Sequence, residues 1–297
     1  MRGSTHAGVM LADHLSAAEP VAPAMRRRRS PPWFPITVMV VMAVCAVFAP
    51  LLAPHPPTEL NPVIANSPPL HVHGYLLGTD TLGRDMLSRL IYGARTSVFI
   101  ALIGLGFAAA IGTSIGVASG YLGGRVDGVL MRLVDVTMAF PTILTALVIA
   151  LFLGEGQATV ILAVSVTMWA TFARMIRGDV SEIRGRDYVT LAKIAGVRAP
   201  TILRRHVIPN VMNTLVVVAT LLLSQVILLV ASLSYLGVGL PPGAPDWGVM
   251  ISEGQSVLFT SWWISLFPGI AITVVVLATN LLGDWLRDAS DPRLRQL

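Results

Sequence analysis

Lysine is almost missing from this chain: Lys193 is the only one in 297 residues, and charged residues of every kind make up 12%. A soluble domain typically carries about a quarter charged residues, so a water-borne globular protein is excluded. A single cysteine, Cys45, rules out an intrachain disulfide. No GxxxxGK[ST] loop surrounds the one lysine, so the chain has no evident means of binding ATP. HExxH, GxSxG and Cys/His clusters are absent too, which removes the commonest hydrolase signatures. His71 and His73 form an isolated HxH without a third ligand, too little for a metal site. Acids at membrane depth are scarce. Asp135 is expected to pair with Arg132 on one helix face, and Asp284 to lie at an interface. An ion-coupled secondary transporter would place carboxylates nearer the midplane.

Apolar residues are abundant instead, at 54% with a mean hydropathy of +0.73. Six runs approach the roughly 20 apolar residues that a spanning helix needs: Phe34–Ala53, Ser97–Tyr121, Val129–Leu153, Ala158–Phe172, Asn210–Leu236 and Trp263–Trp285. The Arg26–Arg29 cluster before the first run resembles a signal peptide, but Pro50 spoils the cleavage pattern at Ala49-Pro50-Leu51, so an uncleaved anchor is expected. The predicted organisation is a basic tail over 1–33, a first span over 34–53 and an external segment over 54–95. A five-helix core over 96–287 follows, with a loop at 174–209, and then a tail over 288–297.

Arginines set the orientation. With both termini in the cytoplasm, the inside receives Arg26–Arg29, Arg125, Arg132, the whole 174–209 loop, Arg287, Arg293 and Arg295; the outside receives only Arg84, Arg89 and Arg95. In the second run Gly104, Ala108, Gly112, Gly116 and Gly120 recur every four residues. That ridge suits close helix packing, within the chain or at a subunit interface. Pro141 is expected to kink the third run.

The stretch Arg174–Asn210 holds eight basic residues against three acids, set between two apolar runs. Tyr188, Leu191, Ala192 and Ala195 suit one face of a short helix. Gly196 suits its end, Pro200 the start of a second helix and Pro209 the start of the next span. The expected product is a helical hairpin on which a partner can dock, or a basic surface resting on anionic headgroups. Outside the membrane, Asp80 is expected to cap a short helix bearing Leu82, Met86 and Leu90, with Asp85 pairing to Arg89. That helix would lie amphipathically on the outer surface.

The hairpin resembles the coupling loop of ATP-binding-cassette importer permeases, whose pattern is Glu-Ala-Ala, three residues, Gly, nine residues, Ile-x-Leu-Pro. Thr190-Leu191-Ala192, Gly196, His206, Ile208 and Pro209 occupy those positions, with Thr190 where the family has Glu. Further stretches resemble the C-type permease subunit of dipeptide, oligopeptide and nickel importers: Leu77–Asp85, Ser88–Arg95, Met131–Pro141, Ser232–Met250 and Leu281–Arg295. The resemblance covers nearly everything after about residue 33. It implies an all-α polytopic fold, the type I ABC importer permease fold, with six transmembrane helices and a cytoplasmic coupling hairpin.

By resemblance, Asp187, Tyr188, Thr190, Ala192, Gly196, His206 and Pro209 couple to an ATPase, and Asp80, Arg84, Asp85, Asp246, Trp247 and Glu253 frame an external mouth. The implied partners are a homologous B-type permease subunit, two cytoplasmic ATPase subunits or one fused pair, and an extracytoplasmic solute-binding protein, all in a bacterial cytoplasmic membrane. ATP and magnesium would be bound by the ATPases, and this chain would be no enzyme and hold no cofactor. The implied cargo is a dipeptide or oligopeptide, with nickel chelates, haem or glutathione as alternatives. An ion-coupled transporter and a membrane scaffold for nucleic acid are the rivals from other classes; the basic loop lacks the aromatic platform that the second would use.

Overall fold

The computed structural model describes residues 32–290, all in one unit. The basic cluster Arg26–Arg29 and the tail from residue 291 lie outside the described residues. In chain order the α-helices are α1 (Trp33–Leu52), α2 (Met86–Leu122), α3 (Gly124–Ala139), α4 (Thr142–Leu153), α5 (Gln157–Arg184), α6 (Asp187–Ile194), α7 (Ala199–Ile202), α8 (Ile208–Tyr235), α9 (Trp247–Gly254) and α10 (Trp263–Ser290). The described residues contain no β-strand, only an isolated bridge between Thr79 and Asp85.

Five helical segments are long and apolar enough to cross a membrane, and α3 with α4 make a sixth crossing if they count as one span. The third run does not merely kink: its two helices meet at 85°. Phe140 between them is extended (φ −89°, ψ 139°), because the ring of Pro141 clashes with a helical residue before it. In α1 the disturbance from Pro50 is milder, confined to a non-helical Phe48.

The bundle is organised around α2 and α5, which pack along most of their lengths. Gly104, Ala108, Gly112, Gly116 and Gly120 are all buried, and the glycines face α5. A Cβ on Gly112 would sit 2.3 Å from the Trp169 carbonyl oxygen, and one on Gly116 2.7 Å from that of Ala173. The glycine ridge therefore serves contact within the chain. Gly112→Leu is expected to cost about 3 kcal/mol or more, since neither backbone can retreat. It should remove monodisperse protein from detergent extracts, whereas Gly106→Leu, facing open space, should not.

Two boundaries differ from those the sequence suggests. Helix α5 runs on to Arg184, because Ile176, Val180 and Ile183 continue its buried stripe, so the true connection is only Gly185–Val207. The segment before α2 carries no amphipathic surface helix. Its one regular element is a 3-10 turn at Pro62–Ile64. Gly83 takes φ 76° and a Cβ there would strike the Asn61 carbonyl at 1.8 Å, which forbids a helix through Leu82. Regular structure begins at Met86, capped by Asp85.

Candidate functional site: a helical hairpin and an opposing ion cluster

Connection Gly185–Val207 folds as α6, a tight turn, α7 and a π-turn (Leu203–Val207) running into α8. The turn has a physical cause. Gly196 adopts φ 76°, its N–H donates to the Lys193 carbonyl (3.0 Å), and the Val197 N–H donates to that of Ala192 (3.0 Å). That pairing of last-turn carbonyls is the Schellman arrangement, which needs a left-handed residue at this point. Pro200 and Pro209 occupy first-turn positions of α7 and α8, where a missing N–H is harmless.

One side of the hairpin is anchored. Val189, Ile202 and Val207 are buried with Ile176, Val180 and Ile183 of α5 and Val211 of α8, a small apolar core separate from the main one. The other side is bare: Leu191 is 64% exposed, Ile194 77% and Val197 37%. The inward face therefore turns on Val189, one residue from the expected face of Tyr188, Leu191, Ala192 and Ala195; of these four, Ala192 is half-buried against that small core. Tyr188 stacks obliquely on His206, with ring centres 5.5 Å apart. Asp187 and Thr190 are exposed, and Arg186 pairs with Glu182 at 3.0 Å. The hairpin is thus a firmly held stub with an exposed apolar tip, a surface that a partner could cover.

At the opposite end of the bundle lies a buried cluster of four charges. Arg89 is 0% exposed, and its Nη1 donates to Asp80 Oδ2 (2.6 Å) and Glu253 Oε2 (2.7 Å). Arg84 donates through Nε to Asp80 Oδ2 (2.6 Å) and through Nη2 to Glu253 Oε2 (2.8 Å). Asp80 Oδ1 also accepts the N–H groups of Leu82 and Arg84. Two cations meet two anions, so the buried charge is balanced. The effect is mechanical: residues 80–89 are tied to α9, more than 160 residues away.

Asp80 thus closes a turn rather than capping a helix. Asp85 does not pair with Arg89, because its oxygens are taken by Leu87 N–H, Ser88 N–H and the Ser88 hydroxyl. Trp247 is buried and its Nε1–H donates to the Leu90 carbonyl at 3.0 Å. Helical spacing assigns Arg89, the cluster's most buried cation, to Asp85; its true partners are Asp80 and Glu253, the second the lone glutamate of a segment that has no lysine or arginine.

Asp246 caps α9, its Oδ1 accepting from Gly248 N–H (2.9 Å) and Val249 N–H (3.2 Å). Burial pushes its carboxyl above the usual carboxylate range, against the opposing pull of the Val249 and Gly248 N–H groups. The folded state then holds this proton more tightly than the unfolded chain. Its contribution to stability is present at low pH and is lost as pH rises through the raised value. Asp246→Asn keeps the capping oxygen without the charge, so the wild type should lose thermal stability relative to this variant as pH rises from the ordinary carboxylate range through the raised value. A parallel pH dependence of the two unfolding midpoints would contradict this.

Asp135 bonds across to Arg174 on α5 rather than to Arg132 on its own helix, and Asp127 pairs with Arg177 at 2.6 Å. Near the opposite end, α4, α8, α9 and α10 border a groove of about 500 Å³, with Ile143, Tyr235 and Ile272 in its wall.

Residues 112–296 match the family described as binding-protein-dependent transport system inner membrane component. The chain belongs to this family. Its relatives match over nearly the whole length. The dipeptide transport system permease protein DppC of Haemophilus influenzae is 39% identical over 262 residues, covering 87% of this chain and 89% of that one. The oligopeptide transport system permease protein OppC of Bacillus subtilis is 35% identical over 261 residues, covering 88% and 85%. Among solved structures, an inward-facing MetNI methionine ABC transporter chain superposes with a TM-score of 0.55 at 16% identity, covering 68% of this chain and 97% of that one. An amino acid ABC transporter with histidines gives 0.53 at 15%, covering 71% and 95%. At those identities the likeness shows the fold alone, and that fold is the type I importer permease. This permease is a multi-pass inner-membrane component, and the secondary-transporter reading is not favoured.

Proposed function

We propose that this permease forms half of the translocation unit of an ATP-driven importer for dipeptides or oligopeptides. A homologous B-type subunit supplies the other half, two cytoplasmic ATPase subunits or a fused pair dock on the hairpin, and a solute-binding protein delivers cargo from outside. Both termini and the hairpin face the cytoplasm, following the arginine distribution, and the Asp80–Arg84–Arg89–Glu253 cluster braces the external mouth. The bare tip of Leu191, Ile194 and Val197 on an anchored hairpin carries this reading. A pushed hairpin transmits force only if its base is fixed, and the apolar core around Val189 and Ile202 fixes it. The peptide assignment is supported by the relatives' names. A solute path along the third, fifth and sixth spans is supported by the groove that Ile143, Tyr235 and Ile272 wall.

Gly196→Leu tests the coupling. It forces a side chain into left-handed backbone at about 1–2 kcal/mol, into space that is otherwise open. Expression should persist while solute-stimulated ATP hydrolysis by the purified complex falls several-fold. Full stimulated hydrolysis and uptake would contradict the docking role.

A further inference from the structure

Asp135 and Arg174 form an ion pair between α3 and α5, yet Asp135 is 65% and Arg174 48% exposed. Arg174 lies about 25 Å from the Gln157 end of α5 at 1.5 Å per residue. That is still within the roughly 30 Å hydrocarbon thickness. Charged side chains at such depth face other protein or a water-filled cavity, not lipid.

The pattern on α3 agrees. Val129, Leu133 and Val136 share one exposed apolar face that acyl chains or another subunit can cover. Gly128, Arg132, Asp135 and Ala139 share a different exposed face of small and charged residues. A third face, with Val134, packs on the bundle. Helix α3 therefore has three separate surfaces, one buried, one exposed and apolar, and one exposed and charged. The Asp127–Arg177 pair nearby takes in the Ser119 hydroxyl as well. The Asp135–Arg174 pair makes no further hydrogen bond among the described residues, which leaves one carboxylate oxygen and most of a guanidinium free for a ligand.

We propose that this charged face of α3, with Arg174, borders the water-filled inner end of the solute path, and that the pair contacts the ammonium and carboxylate of a zwitterionic peptide in transit. The inference rests on the peptide-importer reading and adds the residues that meet the cargo's charged ends. One carboxylate beside one guanidinium is the complement of a molecule bearing one ammonium and one carboxylate.

The test uses the complete complex in proteoliposomes. Cys45→Ala makes this chain cysteine-free, and Gly128→Cys places a thiol on the charged face, where an added side chain meets open space. Val129→Cys, on the apolar face, is the control. A charged, membrane-impermeant methanethiosulfonate applied from the cytoplasmic side should label the Gly128→Cys variant at least tenfold faster than the Val129→Cys variant. Saturating Ala-Ala on the same side should slow labelling of the Gly128→Cys variant severalfold. The same dipeptide acetylated and amidated should not, and adding Asp135→Asn or Arg174→Gln should abolish the protection. Equal labelling of the two variants, or equal protection by the blocked peptide, would overturn the proposal. ATP-driven uptake of Ala-Ala by the parent complex, measured in parallel, separates the two readings. Uptake without protection sinks only the pair's role, whereas absent uptake sinks the peptide reading on which it rests.

Discussion

Arg89→Ala should lower the thermal unfolding midpoint of the detergent-solubilised protein by about 10 °C. The substitution leaves Asp80, 0% exposed, and Glu253 with Arg84 as their only cation among the described residues. Removing one partner of a buried ion pair costs about 3–5 kcal/mol, because the remaining charge loses its compensation. A chain of this size loses roughly 2–4 °C per kcal/mol. Arg89→Lys should recover only part, since an ammonium cannot reproduce the fork that reaches Asp80, Glu253 and the Ala244 carbonyl together. The instructive case is Arg89→Leu combined with Glu253→Gln, which removes opposite charges together. It should be more stable than Arg89→Ala alone, because the deficit is unbalanced charge and not missing attraction. A double variant less stable than Arg89→Ala would show that the cluster acts otherwise.

Ile194→Asp should leave that midpoint unchanged and lower solute-stimulated ATP hydrolysis by the assembled complex at least tenfold. Ile194 is 77% exposed and outside both apolar clusters, so folding does not depend on it. A buried apolar anchor at an interface is worth about 2 kcal/mol or more, and a carboxylate in the same pocket would be left desolvated. Thr190→Asp, one turn earlier and also exposed, provides the comparison. If both variants hydrolyse ATP like the wild type, the tip is not the docking surface. If Ile194→Asp also unfolds early, the hairpin is structural.

How far these features can be read from the chain follows the range of the interactions that make them. The hairpin is legible because its signals are local. Gly196 ends one helix, Pro200 and Pro209 start the next two, and each acts on the backbone of its immediate neighbours. Its inward face falls one residue away from the expected one because Val189 is selected by Ile176, Ile202 and Val207, contacts that no helical period reveals. The spanning runs are legible for the same reason of local composition, and their ends are not. Arg174 and Arg177 look like the start of a loop, yet α5 carries them because Ile176, Val180 and Ile183 continue its buried stripe, and Asp135 and Asp127 of α3 pair with them there.

The ion cluster shows the opposite limit. Asp80, Arg84 and Glu253 each stand out in the sequence, but pairing Asp85 to Arg89 relies on helical spacing, a rule that applies only inside a helix. Asp85 sits before the helix, as its cap. Arg89 instead finds Asp80 and Glu253, the latter brought near by the return of the chain between α8 and α10. Likewise Pro141 announces a disturbance, but its ring accounts only for the extended Phe140 before it, and the 85° between α3 and α4 is not legible from a proline alone.

The most direct test of the central claim is uptake of a labelled dipeptide by proteoliposomes holding the whole complex, with the binding protein outside and ATP inside. Coupling through the hairpin predicts uptake that requires internal ATP, survives a proton uncoupler and disappears with Ile194→Asp. Uptake that continues without ATP and collapses with the uncoupler would contradict it.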